Sequence, residues 1–386
     1  MTGLIVDSDE HRAIRESVAK IAARYGHRYF ASRGREGRQI DELWSELGAA
    51  GFLGVHLPVA YGGGGAGLSE YVVVLEELAA HGIPLLLAVV GPAICGSIVL
   101  AYGSEELKQA WLPGLASGER RMCFAITEPD AGSNSHLVST TARNDGEGWR
   151  LSGAKYYISG ADEAEAVLVV ARDGERPDDG RYPLSLFVAP LAAPGVRLEP
   201  IETELVSPER QFTLTFDDVR LEPETLIGER GKGLRQVFAG LNPERICAAA
   251  LSNGMGRYAL DRASRYANER AVWSTPIGAH QGVAHPLAEA YIGVELARLA
   301  TVRAADLHDT GGNAAEAANI AKFAAADASL KALDQAIQTH GGNGLSREYG
   351  LADLWFVARL LRTAPVSREM VLNFVAEHAL GLPHSY

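Results

Sequence analysis

Three short segments combine hydroxyls, aromatic rings and glycines in a way that suits a flat ligand rich in acceptor atoms. The first, Phe124–Asn134, is an apolar run that leads into a turn rich in hydroxyls and glycine (FAITEPDAGSN). Backbone N–H groups and hydroxyls in such a turn can donate to ligand oxygens. Taken alone, the local pattern favours a plain strand end, so this segment indicates a site only together with the other two.

The second and third segments supply an aromatic face and a permissive backbone. Lys155–Gly160 (KYYISG) places two adjacent tyrosines before a hydroxyl. One ring could stack on a heterocycle while Ser159 hydrogen-bonds to its edge, although the run is equally typical of a core strand. Gln338–Gly344 (QTHGGNG) follows a long helical pattern. Its glycines either cap that helix or allow the backbone to approach a pyrophosphate closely.

The elements that must position these segments follow the order helices, β, helices. Apolar side chains recur at helical spacing up to about residue 120 and again from about residue 231 to the end. Between them lie short β-rich runs separated by turn clusters such as Asn144–Gly146 and Asp178–Gly180. The runs are Met122–Ile126, Trp149–Leu151, Lys155–Ile158, Ala166–Ala171, Pro183–Val188 and Gln211–Phe216. This order argues against a βαβ sheet. It predicts an α+β protein with an N-terminal α-helical domain (1–120), a middle β-barrel or sandwich domain (121–230) and a C-terminal α-helical domain (231–386).

Composition excludes several classes of partner and site. The 386 residues include 36 basic and 48 acidic side chains, a net charge of −12, so a nucleic acid is not expected as a partner. Cys95, Cys123 and Cys247 are far apart and none is in a C-x-x-C pair, which predicts a reducing compartment, no disulfide scaffold and no metal site. The acidic first twenty residues argue against a transit peptide, and a cytoplasmic location is expected.

One uncharged stretch is long enough to cross a bilayer on residue count alone. Gly82–Ser104 has no charged side chain, but glycines and prolines interrupt it and no second such stretch exists. The sequence therefore predicts a buried core segment with a turn at Gly91–Pro92, and no membrane span.

In this order on a helix–β–helix chain, the three segments resemble the acyl-CoA dehydrogenase family of flavoproteins over nearly the whole length. Leu57–Gly63 (LPVAYGG) resembles the family's N-terminal loop, and Leu75–Leu78 (LEEL) resembles the helix after it. Arg270 with Trp273, followed by His280–Gln281, resembles the family's arginine-bearing segment, with Trp-Ser here in place of the usual Phe-Gly. The resemblance implies a C-terminal four-helix bundle, FAD as the cofactor and acyl-CoA as the substrate. It also implies a homotetramer or dimer, and an electron-transfer flavoprotein as the electron acceptor.

The resemblance also implies which residues contact FAD. They are Phe124, Ile126, Thr127, Gly132, Ser133, Tyr157, Ile158, Ser159, Arg270, Trp273, Gln281, Gln338, Gly341, Gly342, Ser367 and Glu369. In such relatives Thr127 would bond to the pyrimidine edge of the flavin, and Ser133 would lie near both the FAD and the acyl-CoA phosphates. Arg270 would pair with the pyrophosphate, for which a guanidinium is well suited. Tyr157 stands where the family usually has tryptophan, and it keeps an aromatic face for the flavin.

The family's reaction removes a proton from the carbon next to the thioester while a hydride leaves the following carbon for flavin N5. This requires a carboxylate base with a pKa raised toward neutrality and donors to the thioester oxygen. In many relatives the base is the glutamate of a Tyr-Glu-Gly-Thr loop, but ungapped matching places Pro365 on that glutamate and Ser367 on the threonine. Proline also lacks an N–H. A one-residue shift of the loop would restore a donor from Ala364.

A subset of the family carries the base on a helix of the C-terminal domain, and Glu244 in Leu241–Arg245 (LNPER) matches that position. Arg245 is then implied to contact substrate, as are Ser133 and Asn242, which replaces the family's aspartate. The structural alternative is a helix start, with Asn242 as cap and Glu244 as a dipole partner in the first turn. Glu369, one turn into the last helix, is the fallback base.

Three hypotheses for function follow. The first is a FAD-dependent acyl-CoA dehydrogenase of lipid metabolism that introduces an α,β double bond, with Glu244 as base. The second keeps the flavin but is an oxidase or monooxygenase, because the usual loop glutamate is absent. The third is a flavin-binding protein of the same fold without turnover. The sequence does not specify the acyl chain.

Overall fold

The computed structural model describes residues 4–174 and 182–385, and its first part consists of helices. They are α1 (Asp9–Glu36), α2 (Asp41–Ala49), α3 (Leu68–Ala80), α4 (Leu86–Ala88), α5 (Ser97–Tyr102) and α6 (Glu105–Ser117). The first helix begins after Ser8, whose hydroxyl accepts a hydrogen bond from the N–H of His11. Asp9 and Glu10 lie in its first turn. Both features stabilise a helix N-terminus, so the sequence itself fixes where this helix begins.

The middle region forms one eight-stranded sheet, confirming the predicted β region. Its strands are β1 (Met122–Ala125), β2 (Thr141–Asn144), β3 (Trp149–Ser159), β4 (Ala166–Arg172), β5 (Leu184–Pro190), β6 (Val196–Ile201), β7 (Gln211–Leu221) and β8 (Leu226–Ile227). They are ordered β6-β7-β3-β2-β4-β5-β8, with β1 parallel to β4. The strand β4 is buried along almost its whole length, which explains its continuous apolar sequence.

Apart from the end residues Ile126 and Pro183, the predicted β-runs lie in strands, with two further differences. The runs at 149–151 and 155–158 belong to the single strand β3, whose register with β7 shifts between Lys155 and Ile158. The edge strand β6 lies outside the predicted runs because it is largely exposed and contains Pro200, which is compatible only with an edge. The turn predicted at Asp178–Gly180 lies outside the described residues.

Helices return after the sheet, so the predicted order of helices, β and helices is confirmed. They are α7 (Gly233–Gln236), α8 (Phe238–Glu269), α9 (Gln281–Asp309), α10 (Ala315–His340), α11 (Ala352–Leu360) and α12 (Arg368–His378). A short hairpin of β9 (Ala271–Val272) and β10 (Thr275–Pro276) joins α8 to α9. The long helices α8, α9 and α10 pack on one another, and α11 and α12 pack against α10. Alanines line many of these contacts, which allows the helices to approach closely.

The N-terminal and C-terminal helices share one hydrophobic core. Val18 and Leu75 from the first region belong to the same buried cluster as Ala250, Ala325 and Leu361 from the last. A second cluster joins the N-terminal helices to the sheet, and a third fills the sheet itself. Val90 packs against all three clusters. The two helical regions therefore form one packed body, against which the sheet is held.

The turn predicted at Gly91–Pro92 is wrong, because the chain is helical throughout Leu86–Tyr102. Between α4 and α5, Val89–Gly96 forms a π-helix. A π-helix bonds each N–H five residues back, and Pro92, which has no N–H, lies inside this wider turn. Among the described helices, none is both long and apolar enough to cross a membrane.

The alternative of a helix start at Asn242 is also wrong. The helix α8 begins at Phe238, directly after α7, and Pro243 lies inside it. Glu244 is therefore in the second turn, which removes the interpretation of this residue as a first-turn dipole partner. A glycine is needed at position 240, in the first turn of α8, because a Cβ there would lie only 2.7 Å from the carbonyl oxygen of Ile94. This close approach presses the start of α8 against the π-helix.

Candidate active site

Glu244 is a half-buried carboxylate without a partner of its own. It makes no hydrogen bond or ion pair with any other described residue. Burial raises the pKa of Glu244 to about 7, against the opposing charges of Arg245 and Lys322. A carboxyl group that exchanges its proton near neutral pH, and that is not tied into the protein, has the properties of a general base.

Arg245, the next residue, is turned back on its own helix. Its Nη1 donates to Asn242 Oδ1 at 3.0 Å and to the carbonyl oxygen of Leu241 at 3.2 Å. Its Nε is buried and has no partner among the described residues. Burial lowers the pKa of Arg245, against the charge of Glu244, and the group remains a cation in proteins. Asn242 therefore orients an arginine that keeps a free donor beside Glu244.

A short chain of contacts connects Glu244 to the first strand of the sheet. The carboxylate acts electrostatically on the thiols of Cys247, on α8, and Cys95, on the π-helix. Cys95 Sγ donates to the carbonyl oxygen of Cys123 at 3.5 Å, one residue before Phe124 on β1. The π-helix packs against both α8 and β1. An apolar wall thus joins the carboxylate to the strand that the sequence predicted to line the flavin.

The turn after β1 is built around a buried ion pair. Lys155 Nζ donates to Glu128 Oε1 at 2.8 Å and to the carbonyl oxygen of Ile126 at 3.0 Å. Glu128 also accepts from the N–H groups of Ser139, at 2.6 Å, and Thr140, at 3.0 Å. Burial alone would raise the pKa of Glu128, but Lys155 and these donors lower it to about 2. The pair fixes the shape of residues 126–140, including the hydroxyls of the predicted site.

Most of the predicted flavin residues in this turn are accessible. Phe124, Ile126 and Thr127 are half-buried, whereas Gly132 and Ser133 are exposed. A Cβ on Gly132 would meet no atom within 4 Å. The hydroxyls of Thr127 and Ser133 make no hydrogen bond with the described residues, so both are free to donate to a ligand.

The predicted residues of β3 face in different directions. Tyr157 is 54% exposed and lies at φ 58°, within the register shift of the strand. Ile158 is buried in the core of the sheet. Ser159 Oγ donates to Gln211 Oε1 at 3.0 Å. The bulge therefore presents the Tyr157 ring outward while its neighbour packs inward.

Six further predicted cofactor residues are exposed on the surface of the C-terminal region. They are Arg270, Trp273, Gln281, Gln338, Gly341 and Gly342. The Arg270 side chain has no partner among the described residues, and Trp273, on the β9–β10 hairpin, is 97% exposed. Tyr266 stacks on His340 with ring centroids 4.2 Å apart, which brings the end of α8 next to the glycine segment. In the described residues, no hydrogen bond joins this set to the set on the sheet.

These two sets fit a dinucleotide cofactor. The sheet provides an aromatic face and unpaired hydroxyls for a flavin ring, and the C-terminal surface provides an unpaired guanidinium for phosphates. A Cβ on Gly341 or Gly342 would meet no atom within 4 Å, so a ligand can approach the backbone there. Among the described residues, no group of three metal-ligating side chains is arranged to hold a metal ion.

The loop between α11 and α12 caps the last helix here, whereas in many relatives it carries the catalytic glutamate. Ser367 is the N-cap of α12, and its hydroxyl accepts from the N–H of Met370 at 3.2 Å. Glu369 is exposed in the first turn of that helix. The expected donor from Ala364 is absent, because that N–H bonds to the carbonyl of Leu360 at 2.9 Å. By contrast, the N–H groups of Val366 and Ser367 have no partner among the described residues.

Two lysines of the site were missed by the sequence analysis. Lys155 is fully buried in β3, and Lys322 is buried in α10, where its ammonium donates to the carbonyl oxygen of Val366. A signal for the second was present: Lys322 follows Ala318 by four residues and precedes Ala325 by three, which places a charge within the apolar face of a helix. Buried charges at such places indicate a partner or a function.

Comparisons with known proteins agree with this geometry. Family models for acyl-CoA dehydrogenases match the N-terminal domain over residues 8–119, the middle domain over 123–219 and the C-terminal domain over 231–380. The acyl-CoA dehydrogenase FadE12 of Mycobacterium tuberculosis is 57% identical over 383 residues, covering 99% of this chain and 98% of the relative. These matches confirm the family that the sequence motifs predicted.

Solved structures show the same fold. A glutaryl-CoA dehydrogenase in complex with glutaryl-CoA is 30% identical with a TM-score of 0.93, covering 99% of this chain and 98% of that one. A glutaryl-CoA dehydrogenase of Mycobacterium smegmatis in complex with FADH2 is 26% identical with a TM-score of 0.91, covering 99% and 96%. The family consists of FAD-dependent oxidoreductases of lipid metabolism. The chain described here belongs to the acyl-CoA dehydrogenase family.

Proposed function

We propose that this protein is a FAD-dependent dehydrogenase that introduces an α,β double bond into an acyl-CoA thioester, with Glu244 as the base. The observation that carries the proposal is the unpartnered carboxylate of Glu244, whose pKa is raised to about 7 by burial. It faces the apolar wall that leads to β1, and Pro365 leaves no carboxylate at the usual loop position.

The cofactor residues divide the FAD between two surfaces. Phe124, Ile126, Thr127 and the ring of Tyr157 would hold the flavin on the sheet, and Arg270 would neutralise the pyrophosphate. Bound FAD supplies the acceptor for the hydride that leaves the β-carbon. Ser133 lies in the exposed part of the same turn and is assigned to the phosphates of the substrate or cofactor.

Proton removal is the step that the chain itself performs. Glu244 takes the α-proton as a carboxylate, and its apolar surroundings strengthen it as a base. The charge that develops on the thioester oxygen needs donors, and the free N–H groups of Val366 and Ser367 are assigned this task in place of Ala364. Arg245, with its free Nε, contacts the substrate beside the base.

The proposal includes an oligomer, because the C-terminal cofactor residues face outward. A stripe of exposed apolar side chains also runs along one face of α9, at Ile292, Leu296, Leu299 and Val302. Exposed apolar stripes of this kind mark protein–protein interfaces. A homotetramer or dimer would cover the stripe and bring Gln338, Gly341 and Gly342 to the FAD of a neighbouring subunit. We expect Leu296→Glu to reduce the mass measured by light scattering and to release FAD.

The physiological electron acceptor is assigned to an electron-transfer flavoprotein, as the family resemblance implies. Reduction of an added electron-transfer flavoprotein by the substrate-reduced enzyme would test the acceptor, with air oxidation as the competing reaction.

Cys95, Cys123 and Cys247 are free and buried, which supports an enzyme of the reducing cytoplasm.

The decisive experiment is anaerobic bleaching of the bound flavin by a panel of acyl-CoAs. We expect at least one acyl-CoA to bleach wild-type protein, and Glu244→Gln to bind it without bleaching. Glu369→Gln is the matched control, because that residue is the fallback base and is exposed. Bleaching retained in Glu244→Gln but lost in Glu369→Gln would refute the assignment of the base.

The same experiment separates the other two hypotheses. Reduced flavin that is reoxidised rapidly by air, and slowly by an electron-transfer flavoprotein, would favour an oxidase or monooxygenase. Failure of every acyl-CoA to bleach the flavin would favour a flavin-binding protein without turnover.

A further inference from the structure

Lys322 is a buried cation among the C-terminal helices. It is 1% exposed on α10, and its Nζ donates to the carbonyl oxygen of Val366 in the loop before α12. Burial lowers the pKa of Lys322 to about 8, so keeping it protonated at neutral pH has a cost in stability. A neutral residue would avoid this cost, which indicates that the positive charge has a use.

The charged groups around Lys322 come from three helices. They are Glu244 and Arg245 on α8, Asp327 on α10 and Glu369 on α12. Asp327 already pairs with Arg362 at 2.7 Å and Arg368 at 3.1 Å, and Glu369 is exposed. Glu244 is therefore the half-buried carboxylate near Lys322 that has no ion pair of its own among the described residues.

The groups around Glu244 also indicate an electrostatic interaction between Glu244 and Lys322. The groups that act on it or respond to it are Arg245 and Cys247 on its own helix, Cys95 on the π-helix and Lys322 on α10. The thiols are neutral, because burial raises the pKa of both. Arg245 Nη1 is directed to Asn242 and Leu241, which leaves Lys322 as the second cation that favours an ionised Glu244.

Lys322 also holds the loop that carries the assigned thioester donors. The Val366 carbonyl that it binds belongs to the same planar peptide unit as the N–H of Ser367. In a trans peptide these two groups point in opposite directions, so a hydrogen bond to one fixes the direction of the other. The Ser367 N–H has no partner among the described residues and is available to a ligand.

We propose that Lys322 is a positioning residue for the reaction: its ammonium favours the ionised form of Glu244 and fixes the orientation of the Val366–Ser367 peptide. The inference rests on the proposed function and deepens it, because it names a second cation, besides Arg245, that favours an ionised Glu244. Lys322 itself takes no proton from the substrate.

The test is the pH dependence of flavin bleaching by a saturating acyl-CoA under anaerobic conditions. In the wild type the rate rises as Glu244 ionises. Lys322→Met should move the midpoint upward by about one pH unit and lower the rate at pH 7 by about fivefold, because a nearby cation has been removed. Lys322→Gln keeps a hydrogen-bond donor for Val366 but no charge, and it should show the same shift. Lys322→Arg should restore the wild-type midpoint.

A second measurement does not depend on activity. The urea unfolding of wild type, Glu244→Gln, Lys322→Gln and the double variant is compared at pH 6 and pH 8. The folded-state pKa of Glu244 is raised, so its contribution to stability is lost as the pH rises through about 7. Removing Lys322 should enlarge this loss, and Glu244→Gln should then stabilise the Lys322→Gln background more than the wild type at pH 8.

Lys331→Met is the matched control, because Lys331 is on the same helix but is exposed and pairs with Glu289 at 2.6 Å. It should leave the midpoint unchanged. Wild-type midpoints in both Lys322→Gln and Lys322→Met would overturn the role of Lys322 while leaving the proposed function intact. Bleaching unaffected by Glu244→Gln would overturn the proposed function and this inference with it.

Discussion

Two glutamates of the helical regions, Glu76 and Glu244, are both removed from water, but their pKa values are shifted in opposite directions. Glu76 on α3 is buried, and its Oε1 accepts from Arg15 at 3.3 Å, Arg257 at 2.8 Å and Arg298 at 3.0 Å. Burial alone would raise the pKa of Glu76, but the three arginines lower it to about 2. Glu244 has no such partner, and burial raises its pKa to about 7.

The difference teaches that the partners of a buried carboxylate, more than its burial, decide what it does. The arginines around Glu76 come from α1, α8 and α9, so this carboxylate joins the first and last parts of the chain. A permanently ionised group of this kind holds helices together and cannot exchange protons near neutral pH. Glu244 contributes no such contacts, and its proton is available for chemistry.

The largest expected effect is on catalysis at the unpartnered site. Glu244→Gln should slow flavin bleaching by roughly a hundredfold to ten-thousandfold, because the proposed base is lost. Its free energy of unfolding should not decrease, since the amide leaves no charge to bury. Stopped-flow absorbance and urea unfolding of the same preparation measure the two quantities. A variant that is slow only because it is partly unfolded would contradict the comparison.

The next effect is on stability at the paired site. Glu76→Gln should lower the free energy of unfolding by about 2–3 kcal/mol, because it removes the carboxylate that three arginines share and leaves them only their ion pairs with Asp7, Glu77 and Glu295. Urea unfolding at pH 7 measures the change, with Glu316→Gln on the exposed surface of α10 as a control that should stay within about 0.5 kcal/mol of wild type. An equal loss in both variants would mean that the arginine cluster has no special role.

The pH dependence of the Glu76 contribution has a definite sign. Its folded-state pKa is lowered, so the stabilisation is present above about 4.5 and is lost as the pH falls toward about 2. Wild-type protein should therefore lose more stability than Glu76→Gln between pH 5 and pH 3. Urea midpoints across that range measure the difference, and parallel curves for the two proteins would contradict it.

Glu163 is an intermediate case that sharpens the comparison. It has one partner, Arg121 at 2.9 Å, and one buried oxygen without any among the described residues. Burial and the neighbouring Glu209 raise the pKa of Glu163 to about 8. The contribution of Glu163 to stability is thus greatest below about pH 4.5 and is lost as the pH rises through about 8.

Glu163→Gln should consequently stabilise the protein at pH 9 by roughly 1–3 kcal/mol relative to wild type, because the amide cannot ionise. The gain should be absent at pH 4. Thermal unfolding at the two pH values tests this, and a variant that is destabilised at pH 9 would show that Glu163 acts as an ionised partner of Arg121 instead.

The order of the helical and β regions is predicted well from the sequence, whereas local departures from helix propensity are not. Helical periodicity and alternating β-runs locate the three regions because burial imposes those periods. The π-helix at Gly91–Pro92 and the start of α8 at Phe238 are not predicted, because both depend on packing. Glycine and proline normally end helices, but here neighbouring elements enclose them. Propensity does not contain that information.

The candidate site is predicted through the resemblance to the family: through its motifs for the cofactor, and through the subset that carries the base on a C-terminal helix for Glu244. Once Pro365 is placed on the usual glutamate, Glu244 becomes the candidate, and its raised pKa now supports that choice. Lys322 and the buried pair of Lys155 and Glu128 are not predicted, because a lysine in a helix or strand is normally on the surface. Apart from the apolar helix face on which Lys322 lies, only the tertiary structure shows that these three charges are enclosed.

The core shared by the first and last helices also has a consequence for how the chain acquires its structure. Val18 and Leu75 emerge from the ribosome long before Ala325 and Leu361, yet all four belong to one cluster. The early helices must therefore keep apolar surface uncovered until α10 and α11 have been synthesised, and contacts so distant in sequence form slowly. We expect nascent chains that end before α10 to require a chaperone.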